Sequence, residues 1–270
     1  MQTHRLTRIL FAGAALLWLA GFTACTTGQS STPAQRMPWE DPAYDNTVPA
    51  AKPETRPTSG PGAWTAWTRH HENRIKWVTE NPVDLLMIGD SIVFGWSRTG
   101  QAVWDEFYGN RNAVNIGSSG DQTSHMLWHI TEGGLVGMKD RNPKLVVIMI
   151  GTNNRGEPDK HGVDTAYGIL AILKEVHAQL PESRILLLAI FPRGDKPDDR
   201  GRQRNHEINQ IIKTYADEKT VYWLDIGHVF MDEQGQLNRD LMPDGLHPNL
   251  AGYRVWAEAM EPTIKKLLEE

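Results

Sequence analysis

Five short apolar runs, each followed by a polar loop and then a longer stretch with helical spacing, constrain this chain more than anything else in it. The runs cover 83–88, 113–116, 145–150, 185–190 and 221–224. They are short and scarcely alternate, as strands buried on both faces do. Helical spacing precedes the first run over 64–79, separates the runs near 101–109, 123–138, 163–180 and 202–218, and closes the chain over 249–268. Strands alternating with helices predict βαβ units. The expected fold is α/β: a five-stranded parallel sheet with helices on both faces, a three-layer α/β/α sandwich. A chain of 270 residues is long enough for one sizeable core, so 63–270 is expected to form one domain. Ligands of such sheets gather beyond the carboxyl ends of the strands.

The N-terminal part reads differently. His4, Arg5 and Arg8 precede an uncharged stretch over 9–24. That is shorter than the roughly 20 apolar residues of a spanning helix and fits a secretory signal peptide. It ends in Phe22-Thr23-Ala24-Cys25, and Cys25 is the only cysteine in the chain. This resembles a bacterial lipoprotein signal, in which cleavage leaves the cysteine as a lipidated N-terminus; Phe22 stands where leucine is usual. Thr26, in place of aspartate, resembles lipoproteins sorted to the outer membrane. Residues 1–24 are thus expected to be a signal peptide, and the protein to be lipid-anchored in a bacterial envelope. Seven of the sixteen prolines lie within 26–62, so 25–62 is expected to be the lipidated cysteine and a semi-extended linker. Trp39 and Tyr44 are the residues through which part of it would pack on the domain.

The loops after the runs hold the reactive groups. They read Gly89-Asp90-Ser91, Gly117-Ser118-Ser119-Gly120-Asp121, Gly151-Thr152-Asn153-Asn154 and, before the last helix, Asp244-Gly245-Leu246-His247. A serine hydroxyl is a weak nucleophile until a base takes its proton. Histidine is the usual base, and a carboxylate fixes its tautomer. Asp244 and His247, three apart, face one pocket, with Nδ1 toward Asp244 and Nε2 left for Ser91. Donors for a tetrahedral oxyanion are the N–H groups of Ser91 and Gly117 and the Asn153 amide. Plainer roles exist for the same residues: helix caps for Ser91 and the Asp244–His247 loop, turn chemistry for Gly117, Asn153 and Asn154.

Asp90 and Asn154 lie close enough to contact substrate, although Asp90 is better suited to a structural role, bonding nearby amides. Trp96 and Trp128 can stack on a sugar or acyl group or pack in the core. His70 and His71 read as solvated on the first helix. His125 and His129, four apart, have the spacing of a metal pair but lack a third ligand, which favours packing or a pocket rim. The stretch from Arg193 to Arg204 mixes both charges and reads as a solvated loop and helix start. A net charge of −5 without a long basic run makes nucleic acid an unsuitable partner.

In order and spacing the four blocks resemble those of the SGNH (GDSL) hydrolase superfamily. The stretches Asp84-Leu-Leu-Met-Ile-Gly-Asp-Ser, His125-Met-Leu-Trp-His-Ile, Gly151-Thr-Asn-Asn and Phe191-Pro-Arg-Gly are similar to the branch that holds the catalytic subunits of intracellular platelet-activating-factor acetylhydrolase. The resemblance covers roughly 64–268. It implies a flavodoxin-like sandwich, Ser91 as nucleophile, His247 as base, Asp244 as orienting acid, and Gly117 and Asn153 in the oxyanion hole. Two departures stand near the second block: Ser118-Ser119 in place of glycine-rich sequence, and His129 where arginine is common. The implied chemistry needs no metal or organic cofactor. It points to a serine esterase for short acyl groups, acetyl foremost, with O-acetylated carbohydrate as the favoured substrate. No long insertion stands ready to form a lid, which fits a short acyl group. Lysophospholipid or thioester hydrolysis is the enzymatic alternative. A glycan-binding envelope lipoprotein on the same fold is the non-catalytic one. The oligomeric state is left open.

Overall fold

The computed structural model describes residues 37–56, 63–138, 142–157 and 159–270. Its elements run α1 (Ala63–Glu80), β1 (Leu85–Gly89), α2 (Ser91–Phe94), α3 (Gln101–Tyr108), β2 (Ala113–Asn115), α4 (Thr123–His129), β3 (Leu145–Met149), α5 (His161–Gln179), β4 (Arg184–Leu188), α6 (Arg200–Ile212), β5 (Val221–Leu224) and α7 (Leu250–Leu268). The five strands form one sheet in the order β2-β1-β3-β4-β5. Every pair is parallel, with Leu85 opposite both Ala113 and Leu145. The expected α/β sandwich is the fold found.

Successive residues of each strand enter opposite layers, which is why the runs lack polar alternation. Leu86, Ile88, Val146, Ile148, Ile185 and Leu187 pack with Met126, Ile169, Ile172 and Ile208 of α4, α5 and α6. Leu85, Met87, Leu145, Val147, Leu186 and Leu188 pack on the other face with Trp96, Tyr253, Trp256 and Met260. Burying each such side chain contributes roughly 1.5–3 kcal/mol. The strand order reverses at β1, with β2 on one side and β3 on the other. That reversal opens the crevice where ligands of open α/β sheets bind.

Two helical expectations need correction. The segment over 123–138 is not one helix: α4 ends at His129 and passes into a wider π turn, Ile130–Gly134, broken where Gly133 adopts φ 94°. The helix expected over 202–218 starts at Arg200 and ends at Ile212, followed by a 3-10 turn, Lys213–Tyr215.

The linker boundary also changes. The signal peptide and Cys25 lie outside the described residues, but 37–56 is docked on the domain. Ala51 is buried in the core, and Trp39 meets the His177 ring at 5.2 Å and Tyr44 the Tyr167 ring at 5.6 Å. Tyr167 Oη donates to the Ala43 carbonyl, Thr123 Oγ1 to that of Ala50, and the Glu54 N–H to that of Ser124. A proline-rich segment too polar for a core of its own can still cover the edge of a neighbour's, and this one covers α4 and α5.

Candidate active site

The site begins where β1 meets β3. At Gly89 an added Cβ would lie 2.3 Å from the Met149 carbonyl oxygen, so only glycine lets the chain turn there. Asp90 follows, buried, its Oδ1 accepting from the Ile92 N–H at 3.0 Å and so capping α2. Burial pushes its carboxyl up to about 7, against the pull of that N–H and of His247. A side chain 1% exposed does not reach substrate, which corrects the expectation for Asp90: it holds the turn that presents Ser91, the first residue of α2.

The other half of the site precedes α7. Asp244 Oδ1 accepts from the main-chain N–H of Leu246 (3.0 Å) and His247 (2.7 Å), closing a tight turn. Its Oδ2 lies 2.7 Å from His247 Nδ1, and His247 Nε2 lies 2.9 Å from Ser91 Oγ. Partial burial alone would raise the Asp244 carboxyl. The hydrogen bonds from the His247 main chain and ring and from Leu246, with the attraction of the imidazole, outweigh it and hold the carboxyl below its ordinary range. Serine and histidine stand 156 positions apart and are brought together by packing: Tyr253 Oη on α7 donates to the Ile92 carbonyl on α2 at 2.7 Å.

The oxyanion side differs from expectation. The Gly117 N–H is donated to Asn115 Oδ1 at 2.8 Å, and its carbonyl accepts from Arg74. Gly117 therefore has no donor to offer and serves to fasten the loop. Three residues on, Gly120 adopts φ 76°, a region that disfavours any side chain. Its N–H, like that of Ser91, has no partner among the described residues. Asn153 Nδ2 donates to the Asp121 carbonyl, beside Gly120, at 3.1 Å, and an amide nitrogen carries a second hydrogen. The Asn154 side chain ties the third block to α4: Oδ1 accepts from the Thr123 N–H and Nδ2 donates to Thr123 Oγ1. Asn154 also lines the cavity described below.

Beneath Gly120 lies a buried polar chain. Asp121, its side chain fully buried, accepts from Trp67 Nε1 at 3.0 Å. His129 Nε2 stands 3.1 Å from Asp121 Oδ2, near enough for attraction but out of line for a hydrogen bond. His129 Nδ1 is 3.0 Å from His71 Nδ1, and His71 Nε2 meets the Glu132 carbonyl at 3.1 Å. Burial pushes His129 down to about 4, against the attraction of Asp121, with Arg74 and His71 adding to the fall. His70 and His71 are therefore not solvated: His71 is 5% exposed, and burial lowers both, His70 to about 4. His125 Nδ1 accepts from the Gln122 N–H at 3.1 Å, a capping contact that leaves it no part in a metal pair with His129. From the segment expected to be linker, Arg56 donates to the Ser119 carbonyl at 2.6 Å and approaches Asp121.

Of the two tryptophans, Trp96 is fully buried, packed at 4.6 Å on Tyr253 and 4.8 Å on Trp256. It is core and not a substrate contact, because the turn after α2 points it into the sheet. Trp128 is half-buried, with its ring against Trp67 and His71 at 4.8 and 4.9 Å. Beyond Asp244 opens a cavity of about 560 Å³ walled by Thr152, Arg193, Arg200, Arg204, Arg239 and Leu246 among others. The stretch from Arg193 to Arg204 is thus a wall of this cavity rather than a merely solvated loop.

Known proteins match this chain along most of its length. The model of the GDSL-like lipase/acylhydrolase family matches residues 87–255. Platelet-activating factor acetylhydrolase IB subunit alpha2 of Rattus norvegicus is 32% identical over 205 residues, 76% of this chain and 86% of its own. Subunit alpha1 of the same enzyme from Homo sapiens is 30% identical over 224 residues, 82% of this chain and 92% of its own. A solved GDSL-like lipase from Bacteroides thetaiotaomicron shares the fold, with a TM-score of 0.56 at 22% identity over 73% of this chain and 98% of its own. With five parallel strands, a matched family model and relatives of this extent, the chain belongs to the GDSL-like lipase/acylhydrolase family and is a serine ester hydrolase.

Proposed function

We propose that Ser91, His247 and Asp244 are the catalytic triad and that the substrate is a short-chain, acetyl ester of a carbohydrate. The observation that carries the triad is the unbroken chain from Ser91 Oγ to His247 Nε2 (2.9 Å) and from His247 Nδ1 to Asp244 Oδ2 (2.7 Å). His247 takes the hydroxyl proton as Ser91 attacks the ester carbonyl, and Asp244 stabilises the imidazolium. The oxyanion is received by the N–H groups of Ser91 and Gly120 and by the Asn153 amide, and each such donor contributes on the order of 10²–10³ in rate. His247 then protonates the departing alcohol, and a water that it activates releases the acid from the acyl-enzyme.

The acetyl preference is supported by the relatives, which are named as acetylhydrolases, and by the lack of any long insertion that would roof an acyl tunnel. The envelope address rests on the N-terminal sequence. If Cys25 is lipidated, Cys25→Ser moves the protein from the membrane to the soluble fraction and abolishes its labelling by fatty acid. The function itself is tested by hydrolysis of para-nitrophenyl acetate, butyrate and octanoate. Fast acetate turnover that disappears in Ser91→Ala supports the reading; a preference for octanoate replaces the acetyl group with a lipid, and no turnover of any ester defeats it.

A further inference from the structure

The cavity beyond Asp244 indicates what the alcohol half of the ester carries. His247 must stand beside the departing oxygen to protonate it, so the alcohol lies on the histidine side of Ser91. The cavity is lined by Asp244, Gly245 and Leu246, the turn that carries His247. Its walls hold four arginines against three aspartates. The aspartates are engaged: Asp244 with His247, Asp195 in an ion pair with Arg239, and Asp199 with the Lys196 N–H at 2.8 Å. The arginines are not balanced in the same way. Arg193 donates only to the carbonyl and hydroxyl of Thr152. Arg200 and Arg204 make no hydrogen bond or ion pair among the described residues. Neighbouring Arg202, 8% exposed, bonds the carbonyls of Arg193, Gly194 and Gly235 and no carboxylate.

The placement of these arginines disfavours the local fold. Arg200, Arg202 and Arg204 stand in the first five residues of α6, whose first turn has no acidic residue. Cations there oppose the helix dipole, with Asp199 at the N-cap as the one nearby acid; Arg202 offsets this through its carbonyl contacts, and Arg200 and Arg204 do not. A bound anion would reverse the sign of that effect, since a helix start favours negative charge. Behind the wall, His161, 4% exposed, keeps an unpartnered Nδ1.

We infer that this cavity holds a carboxylate on the alcohol half of the substrate, as in an O-acetylated uronic acid, gripped by Arg200 and Arg204. The inference rests on the esterase reading of Ser91 and His247. A carboxylate fits better than a phosphate because the aspartates leave one net positive charge on the walls, which suits a single negative charge and would repel part of a double one.

The test compares kcat/KM for the methyl glycoside of 3-O-acetylgalacturonate with that for the methyl glycoside of 3-O-acetylgalactose. The galacturonate is expected to be preferred by about tenfold or more at low salt, the scale of one charge-assisted hydrogen bond, with the preference shrinking as salt rises. In Arg200→Gln/Arg204→Gln the ratio is expected to fall to near one through KM, while Arg200→Lys/Arg204→Lys keeps most of it. A ratio near one in the unmodified protein, or one that survives the glutamine pair, overturns the inference. So does a larger gain for 1-acetylglycerol 3-phosphate over 1-acetylglycerol, which would assign the cavity to phosphate. Para-nitrophenyl acetate, measured alongside, separates the two readings: its turnover with no galacturonate preference removes the carboxylate alone, and its absence removes the esterase reading beneath it.

Discussion

The two flanks of Ser91 are built on opposite principles. On the histidine side the side chains of Asp244 and His247 are 57% and 41% exposed, held by one short turn and open to a charged cavity. On the oxyanion side the loop bearing Gly120 rests on Asp121, Trp67, His129 and His71, all buried. In the proposed mechanism the first flank must change charge during each turnover and admit water. The second must hold donors still, and there it is built of polar groups that would be costly to leave unpaired. Activity and stability should therefore separate on the first flank and fall together on the second.

The largest expected effect tests the first half of that contrast. Ser91→Ala should lower kcat/KM for para-nitrophenyl acetate by on the order of 10⁴ or more while thermal unfolding keeps its midpoint. A folded, active Ser91→Ala protein would show that another group attacks the ester. Asn153→Ala comes next, with kcat expected to fall on the order of 10²–10³ and KM to change little, because its amide acts only as charge develops. A rise in KM with kcat intact would move Asn153 from the oxyanion hole to ground-state binding. Asp121→Ala tests the second flank. It strips Trp67 Nε1 of its acceptor and leaves His129 without the carboxylate beside it, so stability should fall by about 1–3 kcal/mol, the scale for leaving a buried polar group unsatisfied, and activity with it. Denaturant unfolding beside esterase assays reads both, and an unchanged unfolding midpoint would end the contrast between the flanks.

What the sequence disclosed follows the same division. The proposed triad could be read because each part is a short-range pattern: a serine opening a helix after a buried strand and its aspartate cap, and an aspartate closing a turn on its own histidine. The state of Gly117 could not, because its N–H is taken by Asn115 Oδ1, and the Asn115 amide is held there by the Val93 carbonyl and Ser97 Oγ of a different block. Trp96 misled because nearness to Ser91 along the chain says nothing of direction; the turns after α2 drive it into the core. The docking of 37–56 was hidden by composition, which gauges whether a segment can build a core and not whether it can cover one. The buried histidines were hidden for a related reason. His71 belongs to α1 and His129 to α4, 58 residues apart, and only the folded contact shows that each is the other's neighbour.

The smallest expected effect is a matter of slope. Folded His129 lies at about 4 because burial disfavours its charge, whereas an unfolded histidine titrates near 6.5. Between those values the unfolded chain binds more protons, so stability rises with pH across the window. It is complete above about 6.5 and lost as pH falls toward 4. Half-buried His70 adds the same sign. Asp90 opposes it, since its carboxyl is pushed up to about 7 by burial and binds the extra proton in the folded state. The total slope mixes these groups, so the informative quantity is a difference. His129→Gln should be less stable than the unmodified protein at pH 7.5, having lost its contact with Asp121, and should lose less of its stability between pH 6.5 and 4.5. Denaturant midpoints at both pH values for the two proteins measure it. Parallel slopes would mean that His129 takes its proton without unfolding, and the oxyanion flank would then be as open to charge as the histidine flank.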